Sequence, residues 1–123
     1  MKEKKQPLYK SFGYALEGIF AGIKKERNLK IHSVAMIAVI IAGMILKISA
    51  TKWCICFLLF ALILSLELVN TAVEAVVDLV TEEKKPLAKL AKDTAAGAVL
   101  IAAIMAVIIG LILFIPEIIT YIR

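Results

Sequence analysis

The sequence predicts an all-α integral membrane protein with three transmembrane helices and an N-terminal amphipathic surface helix. Of its 123 residues, 62% are hydrophobic, and the mean hydropathy of +0.93 is too high for a soluble domain of this size. The apolar residues form three long runs, and the charged residues lie mainly between and beside these runs. We expect residues 1–123 to form a single membrane domain.

The surface helix is predicted over about residues 7–27. Its apolar side chains recur at spacings of three and four, while Lys10 and Glu17 fall elsewhere on the helical wheel. The apolar positions are Leu8, Phe12, Leu16, Ile19, Phe20 and Ile23. Such a helix is too polar to cross a bilayer, so it is expected on the membrane surface or packed against the ends of the spans.

The first span is predicted over about residues 30–48, where ionisable side chains occur only near the two ends, at His32 and Lys47. The second span is predicted to begin at Trp53, an aromatic anchor at the membrane interface, and to continue as a helix to about Val80. A helix of this length extends beyond the membrane on one side.

The third span is predicted over about residues 93–115, with Pro116 ending the helix. Small residues recur along it at a four-residue spacing, at Ala98, Ala102, Ala106 and Gly110. This pattern permits close helix packing, either within one chain or between copies of it.

Lys and Arg residues predict the topology. Eight lie in residues 1–30, two between the first and second spans, four between the second and third, and one at the C-terminus. The N-terminus and the second loop are therefore expected in the cytoplasm. The basic residues flank apolar spans, so lipid headgroups and phosphates are the expected partners, and nucleic acid is not.

Four polar side chains lie on one face of the second span. Glu67, Asn70, Glu74 and Asp78 fall within a sector of roughly 80° at about 100° per residue. Glu67 comes about 21 Å after Trp53, inside a hydrocarbon core of about 30 Å, and Glu74 comes near its inner boundary. We call these four residues the polar stripe.

A carboxylate at the depth of Glu67 costs at least a few kcal/mol, so it is a candidate functional residue. A single buried Glu can also serve as a hydrogen-bonding group between helices. Four aligned polar residues favour function, because each adds a desolvation cost that packing does not require.

Glu74, at the predicted boundary, is suited to Mg²⁺, which prefers one or two carboxylates together with phosphate oxygens and water. The best second ligand is Glu26, which stands at a similar depth just before the first span. Taken alone, the charged cluster around Glu26 would be an ordinary interfacial patch.

The second loop brings Lys89 and Lys92 close to a predicted helix start, with Asp93 as the N-cap. This arrangement fits polyphosphate binding, and it fits ordinary positive-inside topology with a normal helix cap equally well. The sequence has no P-loop and no G-x-G-x-x-G motif, which excludes the familiar soluble nucleotide-binding sites.

Two segments together resemble the signature of the prokaryotic diacylglycerol kinase and undecaprenol kinase family. They are Glu67-Leu-Val-Asn70-Thr-Ala-Val-Glu74-Ala-Val-Val-Asp78 and Ala91-Lys92-Asp93-Thr-Ala-Ala-Gly-Ala-Val. The resemblance implies a homotrimeric helix bundle in a bacterial inner membrane, with active sites shared between neighbouring subunits. It also implies that ATP and Mg²⁺ bind on the cytoplasmic side and that a lipid alcohol enters from the bilayer.

The resemblance assigns Glu67 as the general base and Asn70 as its companion, with Glu26 and Glu74 as the metal-binding carboxylates. Asp78 would then contact the nucleotide.

The same resemblance gives Lys92 and Asp93 the phosphate and nucleotide contacts, and Lys92 also supports the transferred phosphoryl group. The chain departs from the family pattern at the start of the surface helix, where the family often has an arginine. Lys10 and Lys5 are the candidate substitutes here.

The segments Glu26–His32 and Pro86–Lys89 resemble the Gram-positive members of the family, which are associated with undecaprenol phosphorylation. The expected activity is therefore phosphorylation of undecaprenol by Mg-ATP, with diacylglycerol as the alternative substrate. A different class remains open, a small oligomeric proton- or cation-coupled transporter with Glu67 as its ion site. The off-centre depth of Glu67 favours a reaction at the membrane surface over transport.

Overall fold

The computed structural model describes residues 5–123 and contains four helices. They are α1 (Leu8–Lys25), α2 (Arg27–Leu46), α3 (Ala50–Val80) and α4 (Pro86–Ile122). The last three are each long and apolar enough to cross a membrane. The predicted all-α fold class, with three spans preceded by a separate helix, is confirmed.

The apolar face of α1 is not covered by the rest of the described chain. Leu8, Phe12 and Phe20 retain 74%, 65% and 68% of their surface exposed. Water-exposed aromatic and aliphatic side chains at this density would cost free energy, whereas contact with lipid would bury them. The exposed face of α1 therefore fits the predicted position on the membrane surface.

The last turns of α1 attach it to the bundle. Gly22 is the buried residue of this helix, and a Cβ at Gly22 would lie 2.6 Å from Leu68 Cδ2 on α3. Glu26 then adopts an extended backbone, with φ −97° and ψ 121°, which ends α1 and precedes α2. The end of α1 and the start of α2 thus lie beside the middle of α3.

A tight turn joins α2 to α3. Lys47 ends α2 in the left-handed region, with φ 54° and ψ 53°, and its N–H donates to the carbonyl of Gly43. Ser49 caps α3, since its Oγ accepts a hydrogen bond from the backbone N–H of Lys52 at 3.3 Å. Because of this cap, α3 begins three residues before Trp53, where the second span was predicted to start.

The start of α4 corrects the sequence prediction. The helix begins at Pro86, not at about Asp93, because a proline in the first position of a helix loses no hydrogen bond and Lys85 before it is extended. Asp93 consequently lies inside α4, where it forms an ion pair with Lys89 one turn earlier. The expectation that Asp93 caps this helix was therefore wrong.

The end of α4 is a second correction, since Pro116 lies within the helix and does not stop it. Proline removes the hydrogen bond to the carbonyl four residues earlier. Lys52 of α3 contacts α4 on both sides of this proline, because its Nζ donates to the Leu113 carbonyl at 3.1 Å and to Glu117 Oε1 at 2.7 Å. The helix continues past the proline to Ile122.

The three long helices pack around a small core that contains Met36 of α2, Ile63 of α3 and Ala102 of α4. The chain exposes 9555 Å². A compact soluble protein of 13.4 kDa would expose only about 6,500 Å². Most of the apolar outer faces are thus left for contact with lipid or with other copies, as in a membrane protein.

We predict that Gly43→Ala destabilises the protein. A Cβ at Gly43 would lie 2.7 Å from Trp53 Cη2 and 2.9 Å from Cζ2, so the rigid indole ring would have to move. The matched control is Gly110→Ala, since no atom lies within 4 Å of a Cβ at Gly110. Alanine is favoured over glycine in helices by about 1 kcal/mol, so the control should be neutral or stabilising.

The measurement is the midpoint of thermal unfolding of both variants in the same detergent. We expect Gly43→Ala to lower it by several degrees relative to the control. An equal or higher midpoint for Gly43→Ala would contradict the close packing of α2 on Trp53.

Candidate active site

The polar stripe of α3 runs from the buried part of the bundle to its surface. Glu67 and Asn70 are only 2% and 7% exposed, whereas Glu74 is partly buried and Asp78 is exposed. The four side chains lie on one face because their spacing matches the helical repeat. We call the end of the bundle that carries Asp78 and the turn between α3 and α4 the polar end.

Glu67 has one close polar neighbour from another helix. His32 Nε2 of α2 lies 3.2 Å from Glu67 Oε1. The direction of the ring N–H does not make this contact a hydrogen bond, and Glu67 Oε1 is left without a hydrogen-bond partner among residues 5–123. A buried carboxylate oxygen without a partner is costly, which favours a function that requires a free acceptor at this position.

His32 is the site residue that the sequence reasoning missed. In the sequence, it stands out only as an ionisable residue near the start of the first span. Its contact with Glu67 joins residues 35 positions apart on two helices. The available signal was the rarity of ionisable residues in transmembrane segments, since His32 is the one histidine in the chain.

Asn70 and Glu74 form the next part of the stripe. Asn70 Nδ2 donates a hydrogen bond to Glu74 Oε1 at 3.1 Å, which fixes the orientation of both side chains. Asn70 Oδ1 is buried and has no partner in the described part of the chain. The amide oxygen and the second oxygen of Glu74 are thus available to accept hydrogen bonds or to bind a cation.

At the polar end, α4 places lysine side chains beside the stripe. Lys92 Nζ donates to Asp78 Oδ1 at 2.7 Å, which links the two helices. This hydrogen bond raises the pKa of Lys92, which precedes the apolar part of α4, so the amine stays charged near neutral pH. Lys89 and Asp93 form a second pair on the exposed side of α4. Positive charge is therefore held close to the carboxylate of Asp78.

The structure does not join every predicted site residue to the stripe. Glu26 is partly buried at the junction of α1 and α2, but its side chain has no hydrogen bond or ion pair among the described residues. Lys10 lies in the first turn of α1, exposed, and is likewise without a polar contact to the stripe in residues 5–123. The pairing of Glu26 with Glu74 and the phosphate contact of Lys10 stay predictions.

Protein side chains alone do not complete a metal site in residues 5–123. Within the described residues, no group of three or more His, Cys, Asp or Glu side chains is close enough to hold a metal ion. Any cation at Glu74 would therefore need further ligands, such as phosphate oxygens or water, as Mg²⁺ commonly has.

Comparison with known proteins gives a family for this arrangement. The family model described as prokaryotic diacylglycerol kinase matches residues 13–114. Undecaprenol kinase of Bacillus subtilis (strain 168) is 48% identical over 109 residues, which cover 89% of each chain. A diacylglycerol kinase of Synechocystis sp. is 45% identical over 111 residues, covering 89% of this chain and 63% of that protein.

More distant relatives align over a similar length. A diacylglycerol kinase of Escherichia coli (strain K12) is 33% identical over 106 residues, which cover 86% of this chain and 87% of that protein. The family match and these relatives include all of α2 and α3 and most of α4, where the polar stripe and Lys92 lie. The chain therefore belongs to the prokaryotic diacylglycerol kinase family, a family of membrane lipid kinases.

Proposed function

We propose that this protein transfers the γ-phosphoryl group of ATP to the hydroxyl of undecaprenol at the cytoplasmic face of a bacterial inner membrane, with Mg²⁺ as cofactor. The relative with 48% identity is named undecaprenol kinase, which supports this choice of substrate. The observation that carries the proposal is the burial of Glu67, at 2% exposure, on the same helix face as the exposed Asp78. One face of α3 can thus meet both a lipid and a soluble nucleotide.

In this proposal, Glu67 accepts the proton of the lipid hydroxyl. The hydroxyl oxygen then forms a bond to the γ-phosphorus, the bond from that phosphorus to the bridging oxygen breaks, and ADP leaves. Glu67 is suited to this role because its Oε1 is buried and has no hydrogen-bond partner among residues 5–123, so it is free to accept one. Asn70, one turn further along α3, would accept or donate a hydrogen bond that positions the substrate.

The proposed protein ligands of Mg²⁺ are Glu74 and Glu26. Glu74 has one oxygen fixed by Asn70, which leaves the other for a cation, and the unpartnered Asn70 Oδ1 adds an acceptor nearby. These oxygen donors fit Mg²⁺, which takes one or two carboxylates with phosphate oxygens and water. When bound, Mg²⁺ would neutralise part of the negative charge of the ATP phosphates.

The nucleotide is proposed to contact Asp78, Lys89, Lys92 and Asp93. Of these, Lys92 would also stabilise the transferred phosphoryl group. The ion pair between Lys92 and Asp78 supports this, because it keeps a charged amine at the polar end of α3. Lys10 is proposed to take the place of the family's arginine. It would reach the phosphates of a neighbouring copy if the protein is a homotrimer with shared sites.

Diacylglycerol is the second candidate substrate, and it is favoured by the names of several relatives at 33–45% identity. The deciding experiment is phosphate transfer from labelled ATP by the purified protein in mixed micelles, with undecaprenol and diacylglycerol offered separately at equal mole fraction. We expect Mg²⁺-dependent labelling with a preference for undecaprenol. A preference for diacylglycerol would reverse the choice of substrate, and labelling of neither lipid would favour the transporter hypothesis.

We predict that Glu67→Gln lowers the turnover number about 10²- to 10⁴-fold, because removal of a general base has effects of that size. The amide keeps the size of the side chain, so the fold and ATP binding should be retained. The matched control is Glu17→Gln, an exposed residue of α1 without a polar contact among the described residues. Near-normal turnover in Glu67→Gln would remove Glu67 from the base role.

Glu74→Gln tests the proposed metal ligand. We predict that it raises the Mg²⁺ concentration for half-maximal activity at least about tenfold, since even outer-shell partners of metal ligands change affinity by that factor. The measurement is a Mg²⁺ titration of the rate for the wild type, Glu74→Gln and Glu17→Gln. An unchanged titration curve for Glu74→Gln would show that this carboxylate does not bind the metal.

A further inference from the structure

A groove runs between α2, α3 and α4 and has a volume of about 490 Å³. It is open on one side, and its lining is almost entirely apolar. A volume of this size is within the range of about 300–1,000 Å³ that is usual for ligand sites. Because three membrane-spanning helices form it, the groove lies at the depth of the lipid chains.

The groove and the polar stripe share one face of α3. Cys56, Phe60 and Ile63 line the groove, and Glu67 follows one turn after Ile63 on the same side of the helix. His32, which lies 3.2 Å from Glu67, is also a lining residue of the groove. The groove therefore reaches a histidine that contacts a buried carboxylate with an unpartnered oxygen.

We infer that this groove holds the polyprenyl chain of the alcohol substrate, so that its hydroxyl reaches Glu67. The inference rests on the proposed function and adds the site that selects the hydrocarbon part. A hydroxyl can donate a hydrogen bond to the free oxygen of Glu67, and an apolar chain has no polar group to satisfy in the rest of the groove. The two ends of a long-chain alcohol match the two ends of the groove.

The length of the groove limits how much of a hydrocarbon chain it can hold. Its α4 side extends from Ala103 to Ile118, which is about 22 Å along a helix. This length holds the first few isoprene units of undecaprenol and leaves the rest in the bilayer. Small residues, among them Ala106 and Gly110 of α4, widen the groove where methyl branches must pass. In a two-chain lipid, one chain would lie outside the groove.

Gly110→Leu tests the inference, because it adds a branched side chain to the lining of the groove. Gly110 lines the groove, and no atom lies within 4 Å of a Cβ built there. Leucine is also favoured over glycine in a helix, so folding should not suffer. The matched control is Ala61→Leu, which adds a branched side chain to the exposed side of α3, outside the groove.

The measurement is the KM for geraniol, farnesol, geranylgeraniol and undecaprenol with saturating Mg-ATP. For the wild type, we expect KM to fall with chain length until the groove is filled and then to level off. Gly110→Leu should raise KM for the longer prenols at least about tenfold, since loss of two buried methylene groups has that effect. Values for geraniol, and all values for Ala61→Leu, should stay unchanged.

The outcomes separate this inference from the proposed function. If the wild type phosphorylates prenols but Gly110→Leu leaves every KM unchanged, the groove does not bind the chain and only the inference fails. If Gly110→Leu changes the oligomeric state in detergent and lowers activity on all prenols equally, the groove is a contact between copies of the chain, and the inference is overturned. If the wild type phosphorylates no alcohol, both fail.

A photoreactive geranylgeraniol gives a readout that does not depend on turnover. With the reactive group at the end of the chain away from the hydroxyl, we expect cross-links to groove residues of α2 or α4, identified by mass spectrometry. Unlabelled undecaprenol should compete for this labelling. Labelling confined to the exposed face of α1 would place the chain elsewhere and overturn the inference.

Discussion

Burying the Glu67 carboxylate costs free energy, and the positions of the surrounding polar side chains decide how much of that cost is offset. An ionised carboxylate loses several kcal/mol of solvation when it leaves water, and only good partners repay this loss. Here the neighbouring His32 is close but forms no proper hydrogen bond to Oε1. Nearer the polar end, Asn70 bonds to Glu74 and Asp78 bonds to Lys92, and none of them bonds to the Glu67 carboxylate. The site thus keeps an unsatisfied acceptor, which is the group that proton transfer from a lipid hydroxyl would need.

The length of α3 allows one helix to serve two environments. Its 31 residues extend about 45 Å, longer than a hydrocarbon core of about 30 Å. A continuous helix satisfies its own backbone hydrogen bonds throughout, so the change from apolar to polar surroundings affects only the side chains. The same face can therefore carry the apolar residues of the groove, then Glu67 and Asn70, and finally the exposed Asp78.

The neighbouring helices complete the site through contacts that depend on small residues and helix ends. Gly22 lets α1 approach Leu68, which brings the extended residue Glu26 towards the same region of α3. The early start of α4 at Pro86 gives Lys92 a helical position from which it reaches Asp78. At the opposite end of the bundle, Lys52 holds α4 beyond Pro116. Both ends of α4 are thus tied to α3 by a lysine.

The sequence by itself determined the class of the protein and one side of its site. Long apolar runs locate the spans, and the positions of Glu67, Asn70, Glu74 and Asp78 place them on one helix face, because both properties depend only on local helix geometry. The family signature is also local, and the family match confirms it.

Only the tertiary structure decided which residues meet across helices. The contact of His32 with Glu67 depends on the register between α2 and α3, and the contacts of Lys52 with Leu113 and Glu117 depend on the register between α3 and α4. The groove likewise exists only where three helices diverge. Such contacts join positions far apart in the chain, so no local periodicity indicates them.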